Sequence, residues 1–443
     1  MSQMNLLALP HDVLLYILQQ DSLDPRSLCR LESTCRTLRQ VIDERIWRRA
    51  FLGHRHCNAL HPPASWKAEY ARRTAWSRDW RGLSGTHPHA RAPPAHKLRR
   101  FALKVMSGGV LSRPPRPHTH SVDPSDPACH ATIHAALLAA APFDRVLVRE
   151  GVYRERLRLD RSVEIVGAGR VGSTVIIGSD GPTVETLAKV SVRLHNLTIL
   201  QQPRAARGAS MSGAVFVKGG SLLVMEECAV SSETGHALVV QGLDSCAYVL
   251  HNLIERSKGV GVLVCDFAKG LIEDNVIASN GRAGVAILSG GDPIVSANKI
   301  HDGLDSGVLV SEKGRGRVED NDIFGNRRAG VAILKEGAPL VKRNRIHDGK
   351  DSGVLVCENG KGAVVDNDIF ANKMAGVAIG RGGASLITGN TIRDGNGGSL
   401  CLSAHSKGLI ASNVIHEDPR AAMQVPEGLL TEVTQKNQIR YWS

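Results

Sequence analysis

The stretches NKIHDGLDSGVLVSEKGRGRVED (residues 298–320), NDIFGNRRAGVAILKEGAPLVKR (321–343) and NRIHDGKDSGVLVCENGKGAVVD (344–366) follow one another without a gap and share one 23-residue pattern. Asn-x-Ile marks the pattern at Asn275, Asn298, Asn321, Asn344, Asn367, Asn390 and Asn413. Asn252-Leu253-Ile254 extends it back by one step, and Asn437-Gln438-Ile439 follows Asn413 at an interval one position too long. Gly-Val-(Ala/Leu)-(Ile/Val) returns in step at Gly284, Gly307, Gly330, Gly353 and Gly376. A third apolar segment keeps the same register at Ile294-Val295, Leu340-Val341 and Leu386-Ile387, with Val364-Val365 beside it. An interval held this strictly is the signature of a stacked repeat.

Each repeat offers three short strands separated by turns, too little to bury a core alone. Winding the chain so that coils stack about 4.8 Å apart buries the Ile and Val columns and pairs each strand with those above and below. The expected fold is therefore mainly β, a right-handed parallel β-helix of 23-residue coils. The coils from Asn252 to Asn413 would span about 34 Å. Glycine ahead of the Val-Ala-Ile strand fits a turn needing positive φ or close approach. The Asn column fits a ladder of side-chain amides bonded from coil to coil.

Outward from the repeat, the 443 residues exceed one ordinary compact domain. Aromatic residues are only 4% of the chain, whereas Gly occurs 45 times, which suits tight coils better than an aromatic-rich sandwich. Residues 1–80 read as helices. Val13, Leu14, Ile17 and Leu18 form an amphipathic stripe opened by Pro10, and Leu28, Leu31, Cys35 and Leu38 form a second. Val41, Ile42 and Ile46-Trp47 begin a third, and Trp66, Tyr70, Trp76 and Trp80 add an aromatic cluster. Residues 81–125 have a Pro-, His- and Arg-rich linker composition. Residues 126–230 read as a cap and first coils, with a helix at Ala131–Ala141 followed by strands at Arg145–Val148, Gly151–Tyr153 and Val163–Val166. Regular coils are expected over 231–443.

The net charge of +12 is uneven: residues 1–120 hold 20 Lys/Arg against 8 Asp/Glu, and the remainder holds 35 of each. The arginines are scattered and follow no nucleic-acid-binding motif, so a solvated basic face or an acidic protein partner is the better reading. Nine cysteines without a Cys-x-x-Cys argue against a metal or disulfide framework and for a reducing compartment, the cytosol or nucleus. No apolar run reaches the ~18 residues of a membrane span. The N-terminus, interrupted by Pro10, His11 and Asp12, makes a poor signal peptide.

The carboxylates bear on catalysis, because pectin- and alginate-acting enzymes use parallel β-helices. At the repeat interval, one column reads Arg282, Asp305, Arg328, Asp351, another Glu312, Lys335, Glu358, Arg381, and a third Asp320, Arg343, Asp366. Signs alternate in all three, as a stable ladder requires, since like charges at about 4.8 Å would repel. Asp302, Asp348 and Asp394 recur at every second coil, about 9.6 Å apart and too far to share one ion. His301 and His347 have the same spacing and read as turn residues bonding locally. No catalytic residue, cofactor or metal site is expected. The alternative is a polysaccharide lyase or hydrolase.

Leu9-Pro10-His11-Asp12-Val13-Leu14-Leu15-Tyr16-Ile17-Leu18, then Leu28-Cys29-Arg30-Leu31, Thr34-Cys35-Arg36, Leu38 and Ile46-Trp47-Arg48, resembles an F-box. His11-Asp12 and Thr34 depart slightly from that pattern. With the coils behind it, the chain is similar to the F-box only protein ten and eleven group, although shorter. The resemblance implies a small all-α F-box domain that docks on a Skp adaptor, and through it on a cullin–RING ligase. The β-helix would then present an unknown protein substrate for ubiquitination. Leu9, Pro10, Val13, Leu14, Ile17, Leu18, Leu28, Leu31, Cys35 and Trp47 are the residues that the resemblance assigns to the adaptor.

Overall fold

The computed structural model describes residues 118–203 and 213–441. Over them the chain winds as a mainly β, right-handed parallel solenoid, as the repeat predicts. Three sheets run along it, with 13 strands in sheet A, 13 in sheet B and 11 in sheet C. One coil contributes Lys299–His301 to sheet B, Val308–Val310 to sheet C and Arg317–Glu319 to sheet A. All the strand-to-strand ladders are parallel and join equivalent positions of successive coils, Ile300 to Ile323 to Ile346 for example.

With side chains alternating in and out along each strand, three residues per strand give each sheet a simple reading. Ile300, Ile323, Ile346 and Ile369 of sheet B point inward and are fully buried. So are the outer residues of sheet C strands, such as Val308 and Val310, and the central Val318, Val341 and Val364 of sheet A. The core is one continuous aliphatic column.

Glycine ahead of the sheet C strand meets the second of its two expected demands. Gly307 and its equivalents do not adopt positive φ. A Cβ on Gly307 would lie 2.5 Å from the Cγ2 of Ile323 and 2.7 Å from the Gly330 carbonyl oxygen, so close approach is what excludes a side chain.

The length of the coil is not constant. Val192, Leu223, Ala247 and Gly270 are successive partners in sheet A, so the coils between Val192 and Ala247 are longer, and the step contracts to the regular interval only from Ala247 onward. The first strand, Thr119–Val122, pairs with Arg145–Val148, so β structure begins within the stretch read as linker. Both ends carry a helix. Helix α1 (Ile133–Ala139) is capped by Thr132, whose hydroxyl accepts the Ala135 N–H, and Glu155 accepts the Ile133 and His134 N–H groups. It buries Ile133, Ala136 and Leu137 against the first coil. Helix α2 (Glu427–Lys436) buries Val433 near the last coil, and Gln438–Tyr441 then adds a final strand to sheet B.

Among the described residues no helix is long and apolar enough to cross a membrane. The ten residues assigned to the Skp adaptor, Leu9 to Trp47, lie outside the described residues.

Candidate recognition surfaces of the solenoid

The turn that enters sheet B holds the Asn ladder. Asn275, Asn298, Asn321, Asn344, Asn367, Asn390 and Asn413 are buried. Each side-chain oxygen accepts both the backbone N–H and the amide Nδ2 of the Asn one coil before. Each Nδ2 also donates to backbone carbonyls, as Asn321 does to Val295 and Glu319. Asn437 ends the series by accepting from Asn413, despite its longer step. A second Asn series, Asn280, Asn326 and Asn372, present in every second coil, secures the next turn. Asn326 accepts the Gly303 N–H and donates to Ile300, and Asn372 does the same for Gly349 and Ile346. The regular spacing of this series is itself a signal in the sequence.

The ladders fix the outer face of sheet B. His301, Phe324, His347 and Phe370 occupy one column and stack ring upon ring, with centroids 4.6, 5.3 and 4.6 Å apart and planes within 12° of parallel. Arg393 closes the column 4.2 Å from the Phe370 centroid. Such a stack uses the π-faces on one another and leaves ring edges toward solvent, so it is not a flat platform for a sugar ring. His301 and His347 do bond locally, each placing Nδ1 against the following aspartate at 2.8 and 2.6 Å. Histidine and phenylalanine alternate from coil to coil in this column, so the stack joins two residue types that each recur only at every second coil.

Beside the rings lies a charged column. Asp322 sits 3.2 Å from Arg345 and 3.0 Å from His347 Nε2, and Asp368 sits 3.0 Å from Arg393. Of the three columns expected to alternate in sign, Asp320 and Arg343 form a two-pronged ion pair at 2.8 and 2.7 Å. Asp366 is met by Lys342 at 3.4 Å, and Asp305 and Arg328 approach only to 3.8 Å. Glu312 instead accepts the Ser289 hydroxyl. Of the aspartates repeated at every second coil, Asp302 and Asp348 face their histidines and Asp394 faces Arg393. The three aspartates repeated at every second coil are therefore each engaged by a neighbour.

The outer face of sheet C is different. Its central column reads Leu263, Ala286, Leu309, Ala332, Leu355 and Ala378, apolar throughout. Among the described residues no group of three or more His, Cys, Asp or Glu is placed to hold a metal ion. Burial pushes the Cys228, Cys246 and Cys265 thiols up to about 12, which keeps them protonated and poorly nucleophilic.

Comparison with known proteins gives two domain matches. An F-box-like domain spans residues 6–53, and a right handed beta helix region spans 242–384. The chain is similar in fold to XylC solved with xylose, at a TM-score of 0.55, 11% identity, 73% of this chain and 86% of that one. The A-module of the Azotobacter vinelandii mannuronan C-5 epimerase AlgE4 matches at a TM-score of 0.49 and 19% identity, over 71% of this chain and 92% of that one. At these identities the likeness shows the fold alone.

Proposed function

We propose that the chain is the substrate-recognition subunit of a Skp–Cullin–F-box ubiquitin ligase. In this reading the F-box-like domain at 6–53 docks on the Skp adaptor and the coil stack holds a protein target for ubiquitination. The observation that carries it is the pairing of that domain with a rigid solenoid. The solenoid's carboxylates support the same reading, because Asp322, Asp368 and Asp320 are held by Arg345, Arg393 and Arg343 rather than poised over a substrate. A lyase or hydrolase needs carboxylates free to exchange protons. Repeat stacks bind through broad outer faces and need no catalytic group of their own. We place this work in the cytosol or nucleus, the reducing compartments that the cysteines suggest.

Co-purification with the Skp adaptor is the test. The wild-type chain is expected to bind and the Leu14→Asp, Ile17→Asp double variant to lose binding. Equal binding by the variant would sink the assigned interface. A parallel incubation with pectin and alginate is expected to yield no product. Turnover lost on mutating Asp302 or Asp348 would establish the carbohydrate-active alternative instead.

A further inference from the structure

The outer face of sheet C repeats every two coils in both shape and charge. In the coils of Leu309 and Leu355 the central side chain stands out and is partly exposed. In the coils of Ala286 and Ala332 it is a methyl group, 1% and 3% exposed, set lower than the leucines of the coils on either side. The turn before the strand carries Arg282, Asp305, Arg328 and Asp351 in successive coils, and the turn after it carries Ser289, Glu312, Lys335 and Glu358. The leucine coils are thus acidic on both flanks, and the alanine coil of Ala332 is basic on both. High, acidic coils alternate with low, basic ones at intervals of about 4.8 Å.

We propose that this face pairs with the same face of a second copy, the two solenoid axes antiparallel. The two-fold axis would lie midway between the Leu309 and Ala332 coils and parallel to the strands. That operation reverses the order of coils but keeps the strand direction, so each flank meets its own kind. Leu309 then lies over the partner's low Ala332 coil, and Leu355 over the partner's low Ala286 coil. On one flank Asp305 meets the partner's Arg328 and Arg282 meets the partner's Asp351. On the other flank Glu312 meets the partner's Lys335, and Glu358 meets the hydroxyl of the partner's Ser289.

The pattern also rejects the wrong registers. Parallel axes with equal coils opposed, or an antiparallel register displaced by one coil, would place leucine on leucine and acid on acid. Four coils cover under about 20 Å of the axis. The patch is therefore smaller than the roughly 800 Å² per partner of a standard interface, which makes the association concentration-dependent rather than permanent.

Sedimentation of the full chain from low to high micromolar concentration is the test. The wild type is expected to show a monomer–dimer equilibrium. Leu309→Asp with Leu355→Asp should weaken it at least tenfold while the chain stays folded by circular dichroism, because the inward Val308, Val310, Val354 and Val356 are untouched. Arg328→Asp should weaken it similarly, and Asp305→Arg with Arg328→Asp should restore it, since the swap returns opposite charges across the two-fold. A wild type that stays monomeric, a dimer indifferent to the leucine variants, or a double swap no better than Arg328→Asp alone would each overturn the proposal. So would a different protein found seated on this face of a monomeric wild type.

Discussion

Asn321 accepts twice from Asn298, its Oδ1 lying 3.0 Å from both the backbone nitrogen and the side-chain Nδ2 of the residue one coil before. Its own Nδ2 donates to the Val295 and Glu319 carbonyls and to Asn344. Removing that amide strands buried donors and acceptors in three coils at once. At about 1–3 kcal/mol for each buried group left unsatisfied, Asn321→Ala is expected to cost at least about 2 kcal/mol. Asn321→Asp, which keeps the acceptor and loses the donors, should not rescue it. Chemical denaturation measures both, and a loss within about 0.5 kcal/mol, typical of a neutral surface site, would contradict the ladder's structural role.

Gly307 tests the close approach of adjacent coils. An added methyl would meet the Ile323 Cγ2 and the Gly330 carbonyl, neither of which can retreat inside a stacked core. Gly307→Ala should destabilise by about 1–3 kcal/mol, the usual cost of overpacking. Gly172→Ala provides the contrast. Nothing lies within 4 Å of its added methyl, and its positive φ of 89° leaves only backbone strain. Thermal melts of the two variants would separate packing from strain.

Phe324 lies between His301 and His347, with ring centroids 4.6 and 5.3 Å away. Truncation to alanine removes two stacking contacts, each worth about 0.5–1.5 kcal/mol beyond the lost apolar area. A loss of about 2–3 kcal/mol is expected for Phe324→Ala. A Phe324→His variant, which preserves a planar ring in the column, should recover much of it. If alanine and histidine behave alike, the stack contributes nothing specific.

His236 predicts a pH dependence. Its Nδ1 accepts the Val260 N–H at 2.9 Å, so that nitrogen is unprotonated in the folded chain. Burial, aided by the Arg282 guanidinium, holds this histidine below its ordinary value. The unfolded chain therefore takes up the proton at higher pH than the folded one. Stability contributed by the neutral ring is present above the ordinary value of about 6.5 and is lost as pH falls below it. The melting temperature should drop between about pH 7.5 and pH 5, and less steeply in His236→Asn, whose oxygen can accept the same N–H without titrating. Parallel curves for the two proteins would remove His236 as the cause.

Much of the solenoid could be read from spacing alone. A fixed interval can persist only if each coil returns to the same angular position, so Asn-x-Ile and Gly-Val-x-(Ile/Val) located sheets B and C and predicted the Asn ladder. The pattern is silent upstream, where the longer steps from Val192 to Leu223 and from Leu223 to Ala247 break the interval although the strands still pair in register. Sequence comparison within one chain sees equal spacing, whereas the stack needs only equal height and angle.

Charge shows the same division. Alternating signs in a column indicated that carboxylates face bases, and Asp320 with Arg343 does so closely. Which pairs close depends on turn geometry, so Asp305 and Arg328 remain 3.8 Å apart while Asp322 finds Arg345 and His347 in a column not anticipated. The sequence by itself determined the coil, its three strands, the Asn column and the F-box-like stretch, because these rest on periodicity and local composition. Only the tertiary structure decided that His301, Phe324, His347 and Phe370 share one stack. It likewise decided that Leu309 and Ala332 alternate on an open face, because facing direction is set when successive coils are laid on one another.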